Sequence, residues 1–457
     1  MDIRDLFTFE VPGAKFSPKY KAGIWDGKIR LFNSTKRLLY RGLETALAEY
    51  CELNDIDYET DIIPSGRLIS DQEYEEFVSS LNLPPDIERR DYQKEAVLEG
   101  IEQERVLLLS PTASGKSLTA YILYRWFSKK TIIIVPTVSL VHQLASDFVL
   151  YGYDADHIHK IMSGEEKNTD KPLTISTWQS ITKQDQSWYN QFDVVICDEV
   201  HRAAAASLVS IMERLHQASI RIGMTGTLDG SKCNEMVLRG LFGPIKVVTT
   251  TRELIDSGYA SELSIQVVVL RHPDYIRKTK RSYHEELDFL NSCTRRNEFI
   301  CDIIDNLYGN TLILFYKIEH GQIIFDMIKE KFPKRKSFFI YGGVDGEERD
   351  DVRGVVENEK DAIIVASFGT FSTGINIKRL HNIIMASGWK AQVMNLQSIG
   401  RGLRKGDDKT ECLLFDITDD LSWQRRRNYT LNHSHERIKI YNKQQLDYKI
   451  SKLKLDY

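Results

Sequence analysis

Short runs of β-branched and aliphatic residues, each followed by a stretch with helical spacing, set the rhythm of this chain. Val106–Leu109, Thr131–Val135, Leu173–Ser176, Val194–Cys197 and Ile220–Met224 are largely apolar. A strand that is apolar on both faces is buried on both faces. With helix-like segments between the runs, the pattern predicts βαβ units around a parallel sheet. A second series begins near residue 263 and includes Leu312–Phe315, Ser337–Ile340, Ile363–Ala366, Ile383–Met385 and Cys412–Phe415. It predicts a second sheet of the same kind. Residues 1–80 read differently, with short strand-like runs, one helix-like stretch near Leu43–Leu53, and a break at Leu83-Pro84-Pro85. The expected fold class is α/β: two tandem parallel sheets flanked by helices, preceded by a small α+β domain. Boundaries are expected at residues 1–82, 83–260 and 261–424, with a basic helical extension over 425–457.

Composition narrows this picture without redirecting it. At 457 residues, 42% hydrophobic and 28% charged, the chain is an ordinary globular protein of two or three domains. It has no run of about 18 apolar residues and no signal-peptide profile. A monomer in the cytoplasm is expected, with no membrane contact. The six cysteines form no CxxC pair, so buried thiols are expected rather than a zinc site or disulfides. The net charge of −4 hides uneven patches. Residues 1–40 hold eight basic and four acidic side chains, residues 41–90 four and thirteen, and residues 425–457 nine and three. Local fields of this kind, not the sum, meet a phosphate backbone.

The chemistry starts at Ser110-Pro111-Thr112-Ala113-Ser114-Gly115-Lys116-Ser117, between the first apolar run and a helical segment. A strand, a small-residue turn and a helix start present backbone N–H groups to an anion. Thr112, Ala113, Ser114 and Gly115 would cradle phosphates, Lys116 would reach the β/γ-phosphates, and the Ser117 hydroxyl would ligate Mg²⁺. Ser110 stands where such loops usually begin with Gly. Farther on, a buried strand ends in Asp198-Glu199-Val200-His201. Carboxylates at such an exit are costly unless they have a partner. Asp198 reads as the Mg²⁺ ligand and Glu199 as the group that polarises the attacking water. In Gln397-Ser398-Ile399-Gly400-Arg401-Gly402-Leu403-Arg404, helical spacing puts Gln397, Arg401 and Arg404 on one face. The arginines can complete a triphosphate site as fingers.

The ordered set of these segments resembles the superfamily 2 DExH helicases. Arg90-Asp91-Tyr92-Gln93 resembles their adenine-reading motif, which assigns Arg90 and Gln93 to the base. Pro136–Gln143, Ser176–Ser180, Thr225-Gly226-Thr227, Leu312–Lys317 and Phe371–Asn376 resemble motifs Ia, Ib, III, IV and V. Asn376 stands where many members carry Asp. The resemblance covers residues 89–404 and implies two RecA-like domains. It places Gly374 at the nucleotide and Thr137, Thr177, Trp178, Gln179, Lys317, Thr370 and Thr373 along a nucleic-acid track. Thr225 and Thr227 are expected to carry the state of the γ-phosphate toward that track. Phe16-Ser17-Pro18 and Trp25–Leu31 further resemble the UvsW type of phage helicase, remodellers of branched DNA.

The function expected from all of this is an ATP- and Mg²⁺-dependent DNA helicase acting on forks, D-loops and Holliday-type junctions in recombination, replication or repair. The 3′→5′ polarity and the substrate, branched DNA with single-stranded segments, come from the resemblance. Two other readings stay open. One is a double-stranded DNA translocase that does not separate strands. The other is a nucleic-acid sensor that uses ATP as a switch.

Overall fold

The structure, a computed structural model, describes residues 3–60, 67–162, 164–202, 205–228, 230–343, 354–356, 358–370, 377, 379–388, 400 and 411–457. It divides into two compact units, Met1–Thr249 and Thr250–Tyr457.

The first unit opens with four short strands: β1 (Thr8–Glu10), β2 (Lys28–Arg30), β3 (Phe32–Asn33) and β4 (Leu38–Leu39). β1 pairs with β2 and β3 with β4, both antiparallel. Helix Glu44–Leu53 follows, close to the expected stretch. The main sheet then forms from β5 (Arg105–Leu109), β6 (Thr131–Val135), β7 (Ile158–Ile161), β8 (Leu173–Thr177), β9 (Val194–Cys197), β10 (Ile220–Thr225) and β11 (Ile245–Val247). All pairs are parallel, in the order β11-β5-β10-β9-β6-β8-β7. Side chains alternate faces along a strand. Val106 and Leu108 enter one core with Ile133, Ile196 and Ile222. Leu107 enters the other with Ile132, Ile134 and Val195.

That second core also takes Phe7, Leu31 and Leu43 from the N-terminal residues. The approach is close: a Cβ on Gly42 would lie 2.1 Å from the Arg239 carbonyl oxygen. Tyr40 donates its hydroxyl to Glu213 Oε1 at 2.7 Å. The N-terminal segment is thus anchored to the large sheet through shared apolar surface, the dominant source of stability at such contacts.

The second unit holds β12 (Glu262–Arg271), β13 (Thr311–Phe315), β14 (Ser337–Ile340), β15 (Ile363–Ser367), β16 (Asn382–Met385), β17 (Glu411–Asp420) and β18 (Tyr448–Lys454). They are again parallel, in the order β14-β15-β13-β16-β17-β12-β18. The segment read as a basic helical extension forms helix Tyr429–Lys443 and then β18, which joins the sheet beside β12. The helix inserts Arg437 fully into the interior. There Arg437 Nε donates to both oxygens of Asp416 at 3.0 and 2.9 Å, and Tyr441 Oη donates to Asp416 Oδ2 at 2.8 Å. Burial works against the guanidinium charge, but Asp416 outweighs it and holds Arg437 above its ordinary range.

All six cysteines are buried and free. Among the described residues no helix is long and apolar enough to cross a membrane.

Candidate nucleotide site and nucleic-acid surface

The loop between β5 and helix Lys116–Phe127 bends through two left-handed residues, Ala113 (φ 71°) and Gly115 (φ 79°). A Cβ at Gly115 would sit 2.2 Å from Gln93 Nε2, so this position admits only glycine without rearrangement. Ser110 replaces the usual glycine and turns the difference into a tie. Its hydroxyl donates to Ser114 Oγ at 2.6 Å, and Ser114 Oγ donates to the Pro111 carbonyl at 2.7 Å.

The predicted adenine-reading residues hold the same loop. Gln93 is buried; its Nε2 donates to Ser114 O at 2.9 Å and its Oε1 accepts from Arg90 N at 3.1 Å. Arg90 Nη1 donates to Ala113 O at 3.0 Å and to Tyr92 Oη at 2.7 Å, and Tyr92 in turn donates to Ser114 O at 3.1 Å. Tyr92 was named within its motif without a role. Any contact of Gln93 or Arg90 with a base is therefore coupled to the shape of the phosphate loop.

At the end of β9, Asp198 Oδ1 accepts the Glu199 N–H at 2.8 Å, and Glu199 itself takes a left-handed conformation (φ 50°). Glu199 stands 3.3 Å from Lys116 Nζ and 3.3 Å from His201 Nδ1. His201 hydrogen-bonds Thr225 Oγ1, and Thr225 Oγ1 lies 3.0 Å from the Thr227 carbonyl. One polar chain thus runs from Lys116 through Glu199 and His201 to Thr225 and Thr227. His201 is the link that sequence reasoning left without a role, although it is the last letter of the DExH signature.

Burial, reinforced by the neighbouring Glu199 and opposed by Lys116, pushes the Asp198 carboxyl up to about 6. A divalent cation would supply the missing countercharge. Mg²⁺ commonly uses one or two protein oxygens and fills its shell with waters and phosphate oxygens. The Ser117 hydroxyl, now 2.9 Å from Tyr151 Oη, and the Asp198 carboxylate fit that demand. Among the described residues no cluster of three or more His, Cys, Asp or Glu side chains offers a fuller cage.

Residues 86–230 match the family described as Type III restriction enzyme, res subunit, and residues 295–406 match Helicase conserved C-terminal domain. Residues 1–62 match DNA helicase UvsW, N-terminal. The chain is 35% identical to the ATP-dependent DNA helicase uvsW of Enterobacteria phage T4, over 98% of this chain and 94% of that protein. It belongs to the UvsW family of DNA helicases. The crystal structure of T4 UvsW agrees, at 34% identity, 99% and 95% coverage and a TM-score of 0.50. A DNA 3'-5' translocase, XPB2 of Sulfurisphaera tokodaii, is 24% identical over 91% of this chain and 98% of its own. As a UvsW-type helicase the chain hydrolyses ATP and acts on DNA, and its two sheets are the tandem RecA-like domains of that fold.

Strand order now places the motifs of this helicase along one edge of the first sheet. Ligands of parallel α/β sheets bind beyond the carboxyl ends of the strands. Reading across that edge, β5 carries the phosphate loop, β10 carries Thr225, β9 carries Asp198, β6 leads to Thr137, and β8 ends at Thr177. Neighbouring strands are about 4.8 Å apart, so the carboxylates sit between the phosphate loop and the candidate DNA residues. Of these, Gln179 is exposed and Thr137 caps helix Val138–Leu150 through Leu140 N at 3.4 Å. Thr177 is buried with its hydroxyl 2.9 Å from Ser180 Oγ. Trp178, placed on the track by its motif position, is only 9% exposed and lies in the core with Ile132 and Ile181, so its ring is not offered to a base.

In the second unit Lys317 pairs with Asp288 at 2.5 Å, and buried Thr370 accepts from Ser367 Oγ at 2.8 Å. Both follow strand carboxyl ends, those of β13 and β15. Thr373, Gly374, Gln397, Arg401 and Arg404 lie outside the described residues.

Proposed function

We propose that this helicase remodels branched DNA, using Mg²⁺-ATP hydrolysis to move 3′→5′ along one strand. The observation that carries the motor is the polar chain from Lys116 to Thr227. Lys116 can bind Glu199 or a phosphate, so arrival of a nucleotide frees Glu199 to orient water. His201 passes that change to Thr225 and Thr227 at the end of the neighbouring β10. Mg²⁺, held by Ser117 and Asp198, would neutralise charge on the transferring phosphoryl group. Comparing ATPase stimulation by single strand, duplex, fork, four-way junction and RNA tests the substrate; equal stimulation by all of them would sink the branched-DNA reading.

Arg401 and Arg404 are proposed as fingers on the same triphosphate. Changing either to Ala should leave ATP and DNA affinity near the parent values and cut turnover by about 10³-fold or more, as for other arginine fingers. A loss confined to DNA affinity would instead assign them to the track.

Support for the branch comes from the N-terminal residues that match the UvsW family. Phe16 and Ile24 are 71% and 77% exposed; the Lys15 ammonium lies 5.3 Å from the centre of the Phe16 ring, and Lys19, Lys21 and Lys28 are exposed in the same segment. An exposed aromatic ring among cations suits an unpaired base beside phosphates. Arg30 contributes less, since Asp26 pairs with it. Trp25 supports the turn by donating its indole N–H to Lys28 O at 2.9 Å. Replacing Phe16 and the four lysines with Ala should weaken fork binding about tenfold or more through lost phosphate contacts, while single-strand-stimulated ATPase is kept. A well-folded variant with full fork preference would remove this face from the mechanism.

The XPB2 relative, a DNA 3'-5' translocase, favours one second reading, translocation along DNA without strand separation. A strand-displacement assay on fork and blunt duplex separates the two.

A further inference from the structure

Two basic stretches, distant in sequence, converge beyond the carboxyl ends of β12 and β17. One is Arg277–Arg281, following helix Asp274–Arg277; the other is Arg425–Arg427. Arg426 ties them together, its Nη2 donating to the carbonyls of Arg277 at 2.7 Å and Thr279 at 3.1 Å. Arg277 returns a bond from Nε to Ser422 O at 2.8 Å. The Lys278 ammonium lies 5.2 Å from the centre of the Trp423 ring. These contacts shape a cup of about 160 Å³ whose wall includes Lys280, Arg281, Arg426, Arg427 and the exposed Tyr429.

The charge of this cup is balanced only in part: the Arg281 charge helps to hold the Glu285 carboxyl below its ordinary range, after the hydrogen bonds from Ser282, and Arg281 and Arg426 donate to backbone carbonyls, which leaves the cup net positive. Among the described residues, no carboxylate lies within 4.0 Å of the charged atoms of Lys280, Arg281, Arg426 or Arg427. Elsewhere on the same unit, Arg252, Arg295, Lys317 and Lys331 all have such partners. The carboxylate in the wall, Glu286, is 2% exposed and is occupied by Asn428 Nδ2, Tyr429 N, Thr430 N and Thr430 Oγ1 at 2.7 to 3.0 Å. Four cations gathered around one cavity repel one another, and a bound polyanion relieves that repulsion. Guanidinium groups match phosphate oxygens in geometry as well as charge.

Position selects the polyanion. The cup sits at the same strand ends of the second sheet as Lys317 and Thr370. From β13, which leads to Lys317, the order runs through β16 and β17 to β12. At about 4.8 Å per strand the cup is offset sideways by roughly 10 to 15 Å, of the order of the ~12 Å width of a major groove; β12 and β17 also run farther along the strand direction than β13. We propose that the cup is a second DNA-backbone site, which takes the phosphates of the complementary strand of a duplex arm while the motif-bearing loops hold the first. This deepens the branched-DNA reading and rests on it.

The test uses Lys280→Gln/Arg427→Gln, since both side chains are exposed. Affinities for a fork, a plain duplex and a single-stranded oligonucleotide are measured from 50 to 200 mM salt. The slope of log affinity against log salt should fall by about two for fork and duplex, at ~0.9 per phosphate lost. The single-strand slope and single-strand-stimulated ATPase should not change. The charge-keeping pair Lys280→Arg/Arg427→Lys should retain the parent slope, which separates charge from folding. An unchanged fork and duplex slope would overturn the proposal and give the cup to another anion, such as an acidic protein. Equal losses on duplex and single strand would overturn it too, making the cup part of the first track. Failure of the branched-DNA reading would appear separately, as no preference for the fork in the unaltered protein.

Discussion

Glu199→Gln should bind ATP nearly as the parent does and hydrolyse it roughly 10²-fold more slowly or worse, the usual range for removal of a general base. The change is almost isosteric, so the backbone turn at Glu199 and the bond from its N–H to Asp198 should survive. What is lost is the negative charge that stands 3.3 Å from Lys116 and that the proposed mechanism uses to polarise water. Lys116→Ala should differ in kind, weakening nucleotide binding itself and abolishing unwinding. Single-turnover hydrolysis with a separate binding measurement distinguishes them. Near-normal turnover in Glu199→Gln would remove Glu199 from the role of base.

The second large effect lies far from the nucleotide. Arg437→Ala should destabilise the second unit by about 3–5 kcal/mol, because it leaves the Asp416 charge buried and uncompensated. Asp416→Ala should cost about as much for the converse reason. An exposed pair such as Lys317–Asp288 is worth only about 0–1 kcal/mol, so Lys317→Ala serves as the contrast. The double change Asp416→Leu/Arg437→Met should recover most of the loss, since an apolar pair of similar volume carries no desolvation cost. Urea unfolding read with a probe in the second unit checks this. Equal small shifts for Arg437→Ala and Lys317→Ala would show that the buried pair contributes little.

The two sheets were legible because their strands are apolar on both faces; β6, β9 and β14 begin and end where the runs do. β18 was not legible. Tyr448–Lys454 lies at a sheet edge with almost every residue exposed, and its lysines read as part of a basic helical extension. At the nucleotide site, residue types and spacing gave the phosphate loop and the carboxylates, since each is local in sequence. The bond from His201 to Thr225 was hidden because it depends on β9 and β10 lying side by side. Whether Trp178 faces the track or the core was hidden for a related reason. A motif fixes a residue's place in the chain, whereas the direction its side chain takes is settled by tertiary surroundings.

The neighbours of β12 also have a consequence in time. β12 is the first strand of its sheet to be made, yet it pairs with β17 on one side and β18 on the other. During synthesis, at about 5–20 residues per second, both of its edges wait on the order of ten seconds or more for residues 411–454 to emerge. The first unit can close by then, while the second carries an apolar strand with two open flanks. Unpaired strand edges invite association with other chains. A ribosome stalled before residue 411 should therefore present a nascent chain that recruits chaperones at Glu262–Arg271, and slow translation between residues 272 and 410 would favour aggregates seeded by that strand.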